Sequence, residues 1–166
     1  MFKLNRFRYP VPPAPRTAVL APGFRSSRDV RVFADGWSEK VEQFAPAAIA
    51  APLPLLQALS RRPIPSVKNS VIVLGSSDGP RLSPADRERL WRAFRVPIFE
   101  QIVNGKGELL AAECEAHDGL HIESESLAAD PDAFDPTPCA CGRKTPRLRP
   151  AHTPHDLARR ISAYAR

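Results

Sequence analysis

The chain has 166 residues, 43% of them hydrophobic and 25% charged, which is enough to bury one core and form a single domain with tails. Its longest apolar-rich stretch, Ala45 to Leu59, is interrupted by Pro46, Pro52 and Pro54, so nothing reads as a bilayer span. The basic, aromatic N-terminus lacks the apolar run and small-residue cleavage site of a secretory signal, and a reducing cytoplasm is the expected compartment. The net charge of +6 is uneven: residues 1–31 carry seven Lys or Arg against Asp29, residues 143–166 carry seven against Asp156, and the middle is acidic. Two basic ends either attract an anionic partner such as RNA, DNA or an acidic protein surface, or fold back over the middle.

In chain order, Tyr9-Pro10-Val11-Pro12-Pro13-Ala14-Pro15 predicts that residues 1–31 run as an extended basic arm, lying on another surface or staying mobile. Trp37, Val41 and Phe44 recur at helical spacing, as do Leu55, Leu56 and Leu59, so two short helices are expected. Ser70 to Gly75 is a β-branched run closed by glycine, the pattern of a buried parallel strand. Ser83 then precedes Pro84, and Leu90, Trp91 and Phe94 share a face, which predicts a helix from Pro84 to about Phe94. Pro97 to Val103 returns as a strand, completing a parallel strand–helix–strand unit. Asn104-Gly105 signals a hairpin with a return strand over Glu108 to Glu113, and Asp118-Gly119 turns into a short strand Leu120-His121-Ile122. Residues 124–138 read as an acidic, Pro-rich loop. Thr153-Pro154 opens a C-terminal helix with Leu157, Ile161 and Tyr164 on one face.

The expected fold class is therefore α/β: a parallel unit extended by an antiparallel β-ribbon, with the arm in front and a helix behind. The divisions are 1–31 for the arm, 32–148 for the domain and 149–166 for the helix.

All three cysteines fall in one window with a histidine, giving Cys114, His121, Cys139 and Cys141. Three thiolates and one imidazole fill a tetrahedral zinc shell and leave no place for substrate, the mark of structural rather than catalytic zinc. An odd cysteine count argues against a disulfide framework. His117 competes with His121 for the fourth place, since it makes C-x2-H with Cys114, and spacing alone slightly favours it. Cys114 with His117 also admits a nucleophile and base, though no orienting third group is recognisable. The carboxylates Glu113, Glu115, Asp118, Glu123 and Glu125 read more simply as a solvated ribbon face than as an acid–base pair. His152 and His155 read as surface residues. Phe2, Phe7 and Tyr9 among Lys3, Arg6 and Arg8 fit either single-stranded nucleic acid or a protein groove.

Leu82-Ser83-Pro84 through Phe94, Val96-Pro97-Ile98-Phe99-Glu100-Gln101, the run Glu113-Cys114 to Gly119-Leu120-His121-Ile122, and Cys139-Ala140-Cys141-Gly142-Arg143 together resemble the phenylacetate–CoA ligase branch of the adenylate-forming enzymes. The likeness spans roughly residues 35–148, and it favours His121 as the fourth ligand. It implies a Tyr-Gly-x-Thr-Glu motif whose aromatic packs on adenine, whose Thr meets phosphate and whose Glu holds magnesium. Those positions here are Ile102, Val103, Asn104, Gly105 and Lys106. Gly105 has no hydroxyl, and an ammonium cannot coordinate Mg²⁺. The family's phosphate loop, its Arg-Thr-x-Asp ribose motif between His121 and Cys139, and its C-terminal lid have no counterparts in these residues. The resemblance thus implies a zinc-bearing scaffold without adenylation chemistry, acting through a protein partner at the arm or C-terminal helix. The alternatives are a nucleic-acid-binding zinc protein, or an accessory subunit completing an acyl–CoA ligase.

Overall fold

The computed structural model describes residues 4–127 and 131–149. In chain order these form β1 (Asn5–Arg6), β2 (Thr17–Val19), β3 (Phe24–Arg25), β4 (Val30–Val32), α1 (Glu39–Phe44), β5 (Ala48–Ala51), α2 (Leu53–Leu59), β6 (Ser70–Gly75), α3 (Pro84–Phe94), β7 (Ile98–Val103), β8 (Leu109–Ala112), β9 (Leu120–Ile122), β10 (Phe134–Asp135) and β11 (Arg147–Leu148). Nine of the strands make one mixed sheet in the order β10-β11-β9-β8-β7-β6-β5-β2-β4, and β1 pairs with β3 beside it. From β4 to β7 every pairing is parallel; from β7 to β10 every pairing is antiparallel. No helix among the described residues is long and apolar enough to cross a membrane.

The central unit follows from local chemistry. Strand β6 is buried along Ser70 to Leu74 because both faces of the sheet are covered, which is why its sequence is continuously apolar rather than alternating. Ser83 caps α3 by accepting the Asp86 N–H at 3.1 Å, and Pro84 occupies the first turn, where no N–H is needed. Arg95 ends that helix in the left-handed conformation, and β7 then pairs with β6 in parallel, Val71 beside Ile98.

On one face Val41, Phe44, Leu56, Leu59 and Leu90 from the three helices pack over Ala18, Ile49, Val71, Val73 and Ile98. On the other, Val19, Ala50, Ile72, Leu74 and Phe99 are covered by Phe7 and Phe24, whose rings meet edge to face with centroids 5.8 Å apart. This second layer comes from the segment expected to be an extended basic arm, lying on another surface or staying mobile. Residues 4–15 lie on the chain's own sheet, with Asn5–Arg6 as a short strand and a bend over residues 10–13, and Gln101 Nε2 donates to the Arg8 carbonyl at 2.8 Å to fasten them. Thr17 to Val19 go further and enter the sheet as a fully buried strand between β4 and β5. The parallel half would otherwise expose one apolar face, and no second helical layer exists among the described residues to cover it. Residues on both sides of residue 31 thus contribute strands to the same sheet.

The loop expected over residues 124–138 contributes the short β10, paired with β11. The expected C-terminal helix, with His152 and His155, lies outside the described residues.

Candidate metal centre

The antiparallel end of the sheet brings the cysteines together. Cys114 lies two residues past the end of β8, and His121 sits in the middle of β9, in register with Ala112 on one side and Arg147 on the other. Cys139 and Cys141 lie on a tight turn in which the Gly142 N–H donates to the Cys139 carbonyl at 3.0 Å. Gly142 adopts φ of 86°, a conformation that a side chain would strain.

One donor atom from each of Cys114, His121, Cys139 and Cys141 lies within 4.8 Å of every other. The Cys114 and Cys139 sulfurs are 3.6 Å apart, and Cys141 Sγ is 3.3 Å from His121 Nε2. All three cysteines are free, and 3.6 Å is far beyond the roughly 2 Å of a disulfide. The cluster could hold a metal ion. Three of its members are buried, and only Cys141 is partly open to solvent.

The remaining contacts aim these donors. His121 Nδ1 is 2.9 Å from Thr145 Oγ1; with Nδ1–H donating there, the lone pair of Nε2 faces the sulfurs. Burial, reinforced by the positive charges of Arg143 and Arg147, pushes the His121 pKa below the usual histidine value and keeps the ring neutral. Burial pushes the Cys114 thiol up to about 12, whereas the backbone N–H of Cys141 holds the Cys139 thiol below its ordinary value.

His117 points elsewhere. It adopts φ of 51°, its ring stacks on Phe99 with centroids 4.5 Å apart, and its Nδ1 lies 3.8 Å from Glu113 Oε2. The nucleophile and base pairing of Cys114 with His117 does not form, because the Cys114 sulfur faces Cys139. Nor do the neighbouring carboxylates act together. Glu113 is buried, accepting from Arg87 at 2.7 Å and from the Glu100 N–H at 2.6 Å; Asp118 pairs with Arg147; and Glu123 accepts from both Arg8 and Arg143 at 2.9 and 3.0 Å. Glu123 thus ties both basic ends to the middle of the chain.

Arg147 was not legible as a support for the cysteine–histidine cluster. Its side chain is 2% exposed, and it donates to the Asp118 carbonyl and carboxylate at 2.6 and 2.7 Å and to the Thr137 carbonyl and hydroxyl at 3.2 Å each. It therefore joins the turn before β9 to the segment that delivers Cys139, and it cannot reach an outside anion.

The fold has a known counterpart. Among solved structures the chain is similar to 2-hydroxyisobutyryl-CoA ligase in an open conformation, with a TM-score of 0.56 and 11% identity over 82% of this chain. The described residues share the fold of part of that ligase. The match covers 47% of that enzyme, so this chain spans under half its length. No protein-family model and no curated protein matches the sequence.

Proposed function

We propose that this chain is a non-catalytic, zinc-stabilised module with a structural, interaction or regulatory role, built on the acyl-CoA ligase fold and derived from its phenylacetate–CoA ligase branch. The observation that carries this reading is the convergence of Cys114, His121, Cys139 and Cys141 to within 4.8 Å. At Zn–S and Zn–N distances of about 2.3 and 2.0 Å, tetrahedral geometry separates two sulfurs by about 3.8 Å and a sulfur from a nitrogen by about 3.5 Å. The observed separations, 3.6 Å between the Cys114 and Cys139 sulfurs and 3.3 Å between Cys141 Sγ and His121 Nε2, lie close to both. Zinc fits three thiolates and one imidazole better than a hard cation would.

Loss of adenylation chemistry is supported by what replaces the family's motif. Asn104 Oδ1 accepts the N–H groups of Lys106 and Glu108, both at 3.0 Å, so these positions build a tight turn. Neither Gly105 nor Lys106 offers an oxygen side chain to a metal–phosphate group. Of the two surfaces expected to meet a protein partner, the N-terminal segment is largely committed to its own sheet.

The test is pyrophosphate exchange. With ATP, magnesium and a panel of aryl and alkyl carboxylates, exchange stays at background and ATP leaves the melting temperature unchanged; carboxylate-dependent exchange overturns the reading. An accessory subunit is distinguished by exchange that appears only on mixing with a second chain.

Zinc binding must displace thiol protons, Cys114 above all, while His121 stays neutral and offers little competition. Affinity is therefore expected to weaken by about one decade per pH unit for each thiol proton displaced as pH falls from 8 to 6. Competition titration against a chromophoric chelator measures this, and a pH-independent affinity contradicts thiolate ligation.

A further inference from the structure

We propose that the amino-terminal edge of the parallel strands is a binding surface for single-stranded nucleic acid. This rests on the fold and on exposed charge, and it is independent of the zinc reading.

The cations are aligned by the sheet itself. The Thr17 N–H donates to the Asp29 carbonyl, the Ala47 N–H to the Arg16 carbonyl and the Lys68 N–H to the Ala47 carbonyl, at 2.8, 2.8 and 3.1 Å. These bonds place Arg28, Arg16 and Lys68 along one edge, each just before its strand, and Arg95 precedes β7 at the same end. With strands about 4.8 Å apart, the row from β4 to β7 extends roughly 19 Å. Helix α2 also ends here, adding Arg61. All of these side chains are exposed.

Cations at helix C-termini answer the helix dipole, which accounts for Arg61 and Arg95. It does not account for Arg16, Arg28 and Lys68, which lie on loops leading into strands. Among the described residues, none of these three has a carboxylate within ion-pair distance, although Arg62 just past α2 and Arg89 and Arg92 on α3 all do. The guanidiniums of Arg16 and Arg31 also lie over the same Phe44 ring, 4.6 and 4.9 Å from its centroid. Two like charges gathered on one ring without a neutralising carboxylate are relieved by an anion between or beside them.

An aromatic group selects the kind of anion. Trp91 is 45% exposed, one turn before the end of α3, with the Arg95 guanidinium 5.0 Å from its ring centroid. A line of cations beside an open indole fits a backbone of phosphates with bases that stack, and it covers on the order of four nucleotides. A polyglutamate segment would satisfy the charges and leave Trp91 unused.

The experiment is fluorescence anisotropy of a labelled oligothymidylate with the full chain, between 50 and 300 mM salt. Saturable binding that quenches tryptophan fluorescence is expected. The triple variant R16Q/R28Q/K68Q should bind at least tenfold more weakly, with a salt slope shallower by about 2, since each lost phosphate contact removes about 0.7. R6Q/R25Q/K144Q removes equal charge elsewhere, Arg6 and Arg25 being partners in the β1–β3 pair, and should stay within threefold of the parent. W91A should weaken binding and abolish most of the quenching. If the triple variant melts early, the single exposed change K68Q carries the test through a slope change of about 0.7. Absence of saturable binding at 50 mM salt, equal losses in the two triple variants, or competition by polyglutamate as effective as by unlabelled oligonucleotide overturns the proposal.

Discussion

Stripping the metal with a chelator is expected to open the antiparallel end of the sheet while the parallel end stays folded. The reason is the distribution of apolar burial. The parallel strands are covered on both faces by two large clusters, whereas the region from β8 to β11 rests on a small one: Ile102, Leu110, Ala111, Leu120 and Leu148. Strands of two to four residues joined by long connections cannot offset their ordering entropy with so little core. A structural zinc supplies on the order of 10 kcal/mol to small metal-dependent domains. C139S should act like the chelator, because it removes a buried thiol of the cluster that contacts both of the other cysteines. Hydrogen exchange is the readout: amides of Leu110 to Ala112, Leu120 to Ile122 and Leu148 lose protection, while those of Val71 to Leu74 keep it. Unchanged protection at both ends contradicts the assignment.

The second large effect is expected at Arg147. R147M keeps the length of the side chain and removes every donor, leaving the Thr137 carbonyl and the Asp118 carbonyl without their partner. Asp118 is mostly exposed and can rehydrate, so the cost falls below that of breaking a fully buried ion pair: about 2–4 kcal/mol by denaturant unfolding. Because the guanidinium also fixes the approach of Cys139, zinc affinity should fall by about 10- to 100-fold, the usual effect of losing support behind the ligands. A variant of parental stability and affinity would show that Arg147 fills space and nothing more.

The parts legible in the sequence are those whose signals are local. A β-branched run, a serine followed by proline and an apolar stripe, and an Asn-Gly turn gave the central strands, α3 and the hairpin, since each pattern is complete within about ten residues. β2, β4 and β5 were not legible. Thr17 to Val19 sits between prolines in a basic segment, and Ala48 to Ala51 is mostly alanine, a poor strand former. Their partners are parallel strands far off in sequence, and burial between those partners overrides propensity.

The four residues of the cluster were legible as a set because metal chemistry restricts both residue type and number. Their support was not. Thr145 carries no signal, and Arg147, in a run of cations, reads as solvated charge until its burial against Asp118 and Thr137 is seen. Between His117 and His121, spacing leaned slightly to His117 and the family resemblance to His121; the strand register, which turns His121 toward the cysteines and leaves His117 on Phe99, decides for His121.

The most direct measurement is X-ray absorption at the zinc edge, together with native mass spectrometry of the same zinc-reconstituted sample. One zinc per chain, with three sulfurs at about 2.3 Å and one nitrogen at about 2.0 Å, is the predicted result. Failure to retain zinc at stoichiometric concentration, or a shell of oxygen and nitrogen without sulfur, would contradict it.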